Sequence, residues 1–182
     1  PLGQKLAVGA GGFPIQNGGL IVQYMAQPIF QIFLGLNPAL FGLAMTIPRI
    51  WDAFTDPVMG RISDRTQSRY GRRRPYVFFG ALAVALTFLT IWMVPQSMGD
   101  TGTFLWLTIG SVLFFTAFTV FSVPFNALVY EQTPDYHERT RLMFYLALFY
   151  NIGNLCVNWY VPATNWSGFE NPLVGARWIA LG

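Results

Sequence analysis

Long apolar stretches, parted by short polar turns, run along almost the whole of this chain, and no other feature limits its fold so tightly. Those at residues 7–34, 38–63, 76–94, 103–130 and 142–161 can each cross a bilayer as a helix, which takes about 20 residues, and a sixth begins at 173 and runs to 182. A helix satisfies its own backbone hydrogen bonds, so such a chain folds in lipid as a helical bundle. Charged residues make up 10% of the sequence and hydrophobic ones 53%, where a soluble domain carries about 25% charged residues. The chain therefore reads as an all-α membrane protein. It begins without Met and stops inside the apolar run Ile179-Ala180-Leu181-Gly182, so it also reads as a fragment. Its one cysteine, Cys156, excludes an internal disulfide and a cysteine metal cluster. With one histidine, His137, zinc sites and histidine triads have few ligands to draw on.

Residues 49–74 stand apart from this pattern. Arg49, Asp52 and Asp56 lie inside the second apolar stretch at i, i+3 and i+7, within about a 60° arc of one helix face. A charge at the centre of a spanning helix costs roughly 2.5–3.5 kcal/mol on insertion scales, so three so close together imply a use. Their sum is one negative charge, which a monovalent cation or a proton neutralises. A buried Arg–Asp pair that only holds helices together is the alternative reading. Pro48 and Pro57 bracket the charged face and predict kinks there.

The loop that follows holds Arg65, Arg69, Arg72, Arg73 and Arg74, and the loop at 131–141 holds Arg139 and Arg141. The turns at 95–102 and 162–172 hold no Lys or Arg, only Asp100 and Glu170. By the positive-inside rule the basic loops and the N-terminus are cytoplasmic. This alternation accounts for the net charge of +3 without a nucleic-acid partner. The sequon Asn165-Trp166-Ser167 falls on the outer side, where chance explains it.

Further polar stripes run along the other helices. Gln16, Gln23, Gln27 and Gln31 share one face of helix I, with Pro14 and Pro28 in the same stretch. Thr119, Ser122, Asn126 and Tyr130 share a face of helix IV, and Asn151, Asn154 and Asn158 one of helix V. Inside spans such residues face the bundle interior rather than lipid, as contacts between helices or as the lining of a watery path. Helix III has almost none. Helices I, II, IV and V are thus expected around a central polar cavity, with helix III outside against lipid. Gln16, Gln23, Tyr24, Trp51, Ser122, Asn126, Asn151 and Asn154 are the candidate solute contacts, suited to a polyhydroxylated neutral molecule.

The run Arg49-Ile50-Trp51-Asp52-Ala53-Phe54-Thr55-Asp56-Pro57, with Met59-Gly60, Asp64-Arg65, Ser68-Arg69 and Gly71-Arg72-Arg73-Arg74-Pro75, resembles the signature of the glycoside–pentoside–hexuronide:cation symporters, the melibiose-permease-like members of the major facilitator superfamily. Val123-Pro124-Phe125 and the residues Asp135, Glu138 and Arg139 add weaker support. The resemblance covers essentially the whole chain. It implies the N-terminal six-helix bundle, about five and a half helices of it, of a twelve-helix transporter whose C-terminal half completes the pocket. It also implies that Asp52 and Asp56 bind the coupling ion, Na⁺ or H⁺, with Arg49 as their charge partner and no other cofactor. Asp64, Arg65, Arg72, Arg73, Arg139 and Arg141 correspond to a cytoplasmic gate of charges that pair in one conformation and part in another.

The chain departs from the sugar-transporting pattern at several positions. Ile15-Gln16 stands where relatives carry Lys-Asp, Ser122 where they carry Asp, Asn126 where they carry Trp, and Ala147 near the place of an Arg. The expected activity is cation-coupled symport of a sugar, glycoside or uronide by alternating access in the plasma membrane, with a lysophospholipid or other amphiphile as the alternative solute. A non-transporting sensor or channel is a further alternative. A membrane enzyme using the aspartates as an acid–base pair lacks an accompanying nucleophile or metal set.

Overall fold

In the computed structural model, residues 2–95, 97–131, 136–164, 169 and 171–181 are described. Among them are six helices: α1 (Leu2–Ala26), α2 (Pro38–Arg65), α3 (Arg74–Trp92), α4 (Asp100–Glu131), α5 (Tyr136–Thr164) and α6 (Pro172–Leu181). Asp135, the sequon and Glu170 lie outside the described residues, as does the side chain of Gln16. By length and composition α3 and α4 are apolar enough to cross a membrane unaided. The polar and charged residues of α2 and α5 dilute otherwise long helices.

Helix starts follow local chemistry. Asn37 precedes α2 and its side chain accepts a hydrogen bond from the Ala39 N–H at 2.9 Å, with Pro38 in the first turn, where its missing donor costs nothing. Helix I does not stay α-helical to residue 34, as its apolar pattern suggests. From Gln27 to Phe33 the backbone widens into a π-helix. Pro28 cannot donate to the carbonyl four residues back and its ring crowds it; a wider turn relieves that clash. The segment closes with the Leu34 N–H donating to the Ile29 carbonyl at 2.9 Å, and Gly35 (φ +72°) turns the chain toward α2. Helix V starts at Tyr136, so Glu138, Arg139 and Arg141 lie on its first turns rather than in a loop. Glu138 there sits at the end where an acidic side chain is favoured.

Helix α4 is the spine of the bundle: α2 and α3 pack along it, α1 touches it, and α1 lies along α5. Gly80 permits the α3–α4 contact. A Cβ at that position would stand 2.8 Å from both the Cα and the N of Phe121, backbone that cannot move aside, and small residues are what let membrane helices approach so closely. On the far side of α3, Phe78, Phe79, Leu82 and Leu86 are exposed. At 100° per residue they occupy about a 100° arc, so helix III has the outward apolar face that its composition suggests.

Away from the arginine-rich end, a core gathers Val22, Met25, Phe30, Leu36, Trp92, Leu107, Phe114 and Leu173. Trp92 is fully buried between Phe30 and Phe88, with ring centroids 6.2 and 5.8 Å away. Just beyond it α3 ends, leaving carbonyls without helical donors. Arg177 of α6 reaches across to them, Nε donating to the Trp92 carbonyl at 3.0 Å and Nη2 to that of Val94 at 3.2 Å. The sequence pattern alone does not single out this arginine. Its guanidinium fastens α6 to the end of α3.

Replacing Arg177 with Met should therefore destabilise the bundle by about 1.5–3 kcal/mol, the usual worth of hydrogen bonds from a charged donor. Denaturant or thermal unfolding of the purified protein in detergent checks this; an unchanged midpoint contradicts it.

Candidate cation site and charge network

Helices α2 and α4 run in the same direction, and their contacts advance in step. The Arg49 guanidinium lies over the Phe115 ring, 4.9 Å from its centroid. Trp51 Nε1 donates to Thr116 Oγ1 at 2.9 Å, and Thr119 Oγ1 donates to Asp56 Oδ1 at 2.8 Å. Gly60 faces Val123 further along. Asp56 thus meets α4 through Thr119 although the residue as a whole is exposed.

The two aspartates are not equally satisfied. Asp56 takes a proton donor from Thr119. Asp52 is partly buried, and its Oδ1 is shielded from solvent with no hydrogen-bond partner among the described residues. Pro57 has no N–H for the carbonyl four residues back, that of Ala53, so a backbone oxygen without its helical donor stands between the two carboxylates in sequence. Arg49 does not neutralise them by contact. Its Nη2 donates to Gln23 Oε1 on α1 at 3.2 Å, and it forms no ion pair with either aspartate among the described residues. The fixed Arg–Asp pair considered from the sequence is thus not what the structure holds.

The other sequence-predicted contacts divide among several places. Gln23 and Arg49 border a cleft of about 210 Å³ between α1, α2 and α4, with Thr46 and Phe115. Tyr24 and Trp51 are about half exposed. Asn126 lies in a second cleft, of about 130 Å³, between α4 and α5, together with Ala147 and Tyr150. Asn151 and Asn154 are exposed; Asn151 Nδ2 donates to the Ala147 carbonyl at 2.7 Å. Ser122, by contrast, is buried at 8% exposure and faces packing rather than open space. Thr116 and Phe115 escape sequence reading because nothing marks them apart from the many apolar and hydroxyl residues of α4.

At the arginine-rich end a charge network joins the two helices again. Arg73 is buried and donates to Asp64, in the last turn of α2. Its Nη1 also reaches Glu131 Oε1 at the end of α4, at 3.1 Å, and Arg72 meets the same oxygen at 3.1 Å. Asp64 and Glu131 both sit at helix C-termini, where the helix dipole disfavours an anion; the arginine between them offsets this. The hydrogen bond from Arg73, more than its charge, holds the Asp64 carboxyl below its ordinary value. Gly71, at φ +99°, lets the loop turn so that Arg72 and Arg73 return to the helix ends. Arg139 donates to the Tyr130 carbonyl at 3.0 Å and so caps α4. Arg141 sits 3.9 Å from Glu138 on its own helix, and Arg65 completes the last turn of α2. Of the six expected gate residues, then, Asp64, Arg72 and Arg73 join one network, in which the two arginines meet on Glu131, a residue the sequence reading left in the loop.

A family-wide profile of MFS/sugar transport proteins matches residues 7–168. Among curated proteins the chain is 36% identical over 144 residues to an uncharacterized symporter of Synechocystis, covering 76% of this chain and 26% of that protein. It is 31% identical over 136 residues to the sodium-dependent lysophosphatidylcholine symporter 1 of Gallus gallus, covering 74% and 25%. YagG of Escherichia coli (strain K12), which carries the name of a glycoside/cation symporter, is 27% identical over 173 residues, covering 95% and 35%. The chain spans about a quarter of the length of the first two.

The Asp64–Arg73 contact makes a pH prediction. A carboxyl whose folded value is depressed adds stability that is present above its ordinary value of 3.8 and lost as pH falls through the lower folded value. Unfolding midpoints followed across that window should fall for the native protein and fall less for Asp64→Asn. Parallel curves for the two proteins would contradict the contact.

Proposed function

The chain belongs to the family of MFS/sugar transport proteins and is an integral membrane protein, and on that premise we propose that the protein it contributes to is a cation-coupled symporter working by alternating access. Asp52 and Asp56 hold the coupling ion, Na⁺ or H⁺, near the middle of a multi-pass bundle in the plasma membrane. The observation that carries this reading is the shielded Asp52 Oδ1 without a donor. A carboxylate withdrawn from water and left unmatched is costly; a monovalent cation or a proton removes that cost, and the protein's own groups do not. The oxygens of Asp52 and Asp56 are the donors such an ion needs, and hard cations favour oxygen ligands.

In this reading, ion binding lets the cluster be closed off from water, which an unneutralised cluster resists. The ion thus favours the occluded state by its differential affinity for it, and the two halves of the transporter rock about the site. The N-terminus and the arginine-rich loops are cytoplasmic, by the excess of arginine there. The Arg73 bridge to Asp64 and Glu131 then braces α2 against α4 at the cytoplasmic gate. The solute is a sugar, glycoside or uronide, bound between this half and the C-terminal half by the exposed amides, Tyr24 and Trp51. A second reading, an amphiphile such as a lysophospholipid, is favoured by the similarity to the Gallus gallus symporter and by Ala147 and Asn126 in the α4–α5 cleft, which offers no charge to a sugar.

In proteoliposomes of the full-length transporter, Asp52→Asn and Asp56→Asn should each reduce uptake driven by a Na⁺ or proton gradient, applied separately, by about 5- to 150-fold, the usual range of a coupling free energy. Cation-driven uptake unchanged in both variants sinks the ion assignment. Offered in the same assay, labelled glycosides and uronides should enter; entry of lysophosphatidylcholine alone would overturn the sugar reading and leave the ion site standing. Thr119→Val removes one donor from Asp56 and should shift the cation concentration for half-maximal uptake by about fivefold, the equivalent of about 1 kcal/mol.

A further inference from the structure

Three of the five arginines around the first basic loop, Arg65, Arg69 and Arg74, take no part in the charge network among the described residues. Arg72 and Arg73 are held by Glu131 and Asp64, whereas Arg69 and Arg74 form no ion pair among the described residues. Both instead line a cleft of about 780 Å³ on the outer side of α3, with Tyr70, Phe78 and Phe79. The Arg69 guanidinium rests over the Tyr70 ring, 4.8 Å from its centroid. Phe78 and Phe79 meet edge to face at 5.5 Å and are 70% and 65% exposed.

Below this basic mouth, Leu82 and Leu86 carry the exposed apolar face on along the helix. From Arg74 to Leu86 the helix rises about 18 Å, close to the roughly 15 Å of one leaflet's hydrocarbon. Cationic groups thus sit at one end of an apolar stripe one leaflet deep. The acidic side chains at this end of α2 and α4, Asp64 and Glu131, are already engaged by Arg72 and Arg73, so what the mouth lacks is negative charge. Guanidinium groups match phosphate oxygens in pairs, and Tyr70 has the amphipathic ring that settles at the level of lipid headgroups.

We propose that this cleft is a binding site for an anionic phospholipid of the leaflet at the arginine-rich end. Arg69 and Arg74 take the headgroup phosphate, and an acyl chain lies along Phe78, Phe79, Leu82 and Leu86. The proposal rests on the chain's being an integral membrane protein and not on the identity of its solute or ion. Charge complementarity favours a lipid over a protein helix, since the stripe is apolar throughout and its charge is confined to one end.

The test uses the full-length transporter in phosphatidylcholine nanodiscs carrying a trace of spin-labelled phosphatidylglycerol or, separately, spin-labelled phosphatidylcholine, with neither solute nor ion gradient present. The native protein should immobilise phosphatidylglycerol in preference to phosphatidylcholine, and that preference should fall by about fivefold for each arginine removed in Arg69→Gln, Arg74→Gln and the double variant. Substituting Lys at both positions should restore part of it. Equal immobilisation of the two lipids by the native protein, or a preference that survives in the double Gln variant, overturns the proposal. So does displacement of the labelled lipid by soluble glycerol phosphate or inorganic phosphate at matching concentration, which would make this a site for free phosphate. Because both arginines are exposed and bear no ion pair, an unfolding midpoint like the native one will accompany a true loss of lipid binding.

Discussion

An ion taken out of water must be met by a counter-charge, a proton or a set of donors, and this rule orders the bundle from end to end. At the arginine-rich end it is obeyed within the protein. Arg73 is buried, and two carboxylates from two different helices answer it. Removing either would leave a charge with half its compensation, which is what makes breaking buried pairs costly. Midway along α2 the same rule is only half obeyed: Thr119 answers Asp56, while an oxygen of Asp52 is left unanswered.

Both places depend on how α2 lies on α4. The parallel register that puts Thr116 beside Trp51 and Thr119 beside Asp56 also brings the ends of the two helices level, so that one arginine can reach Asp64 and Glu131 together. Helix α3 sets out from this same end and packs along α4, where Gly80 lets it press close against the backbone of Phe121. Position along α4 therefore couples the charged face of α2 to the basic end mechanically. A shift of α2 by one turn would separate Thr119 from Asp56 and strain the Arg73 bridge at once.

The helices themselves were legible because apolar length and polar interruption are local properties. The start of α2 could be read from Asn37-Pro38, and the outward face of α3 from its lack of polar residues. The π-helical segment was not, because a proline announces a disturbance without saying whether the helix will kink or widen. The α2 triad was recognisable as one face, yet the partner of Arg49 was not. Opposite charges three residues apart suggest a pair, whereas tertiary packing offered Gln23 and the Phe115 ring instead. Glu131 could have been found: if II and IV point the same way, their last residues share a level, and an acid there is the natural partner of an arginine-rich loop. Arg177 could not, since its acceptors are backbone carbonyls 83 and 85 residues away and leave no trace in side-chain pattern.

The diversion of Arg49 matters to the proposed ion site. Had its guanidinium closed on Asp52, the pair would have been neutral within itself, and a cation would have had to displace an arginine before it could bind. Drawn instead toward α1, Arg49 leaves the oxygen of Asp52 open while its positive charge stays on the same face of α2 as the two aspartates. The cluster as a whole retains one negative charge, so a single monovalent ion brings it to neutrality and a divalent one would overshoot. Gln23 and Phe115 therefore bear on ion binding without needing to touch the ion: they set where the one positive charge of the cluster stands.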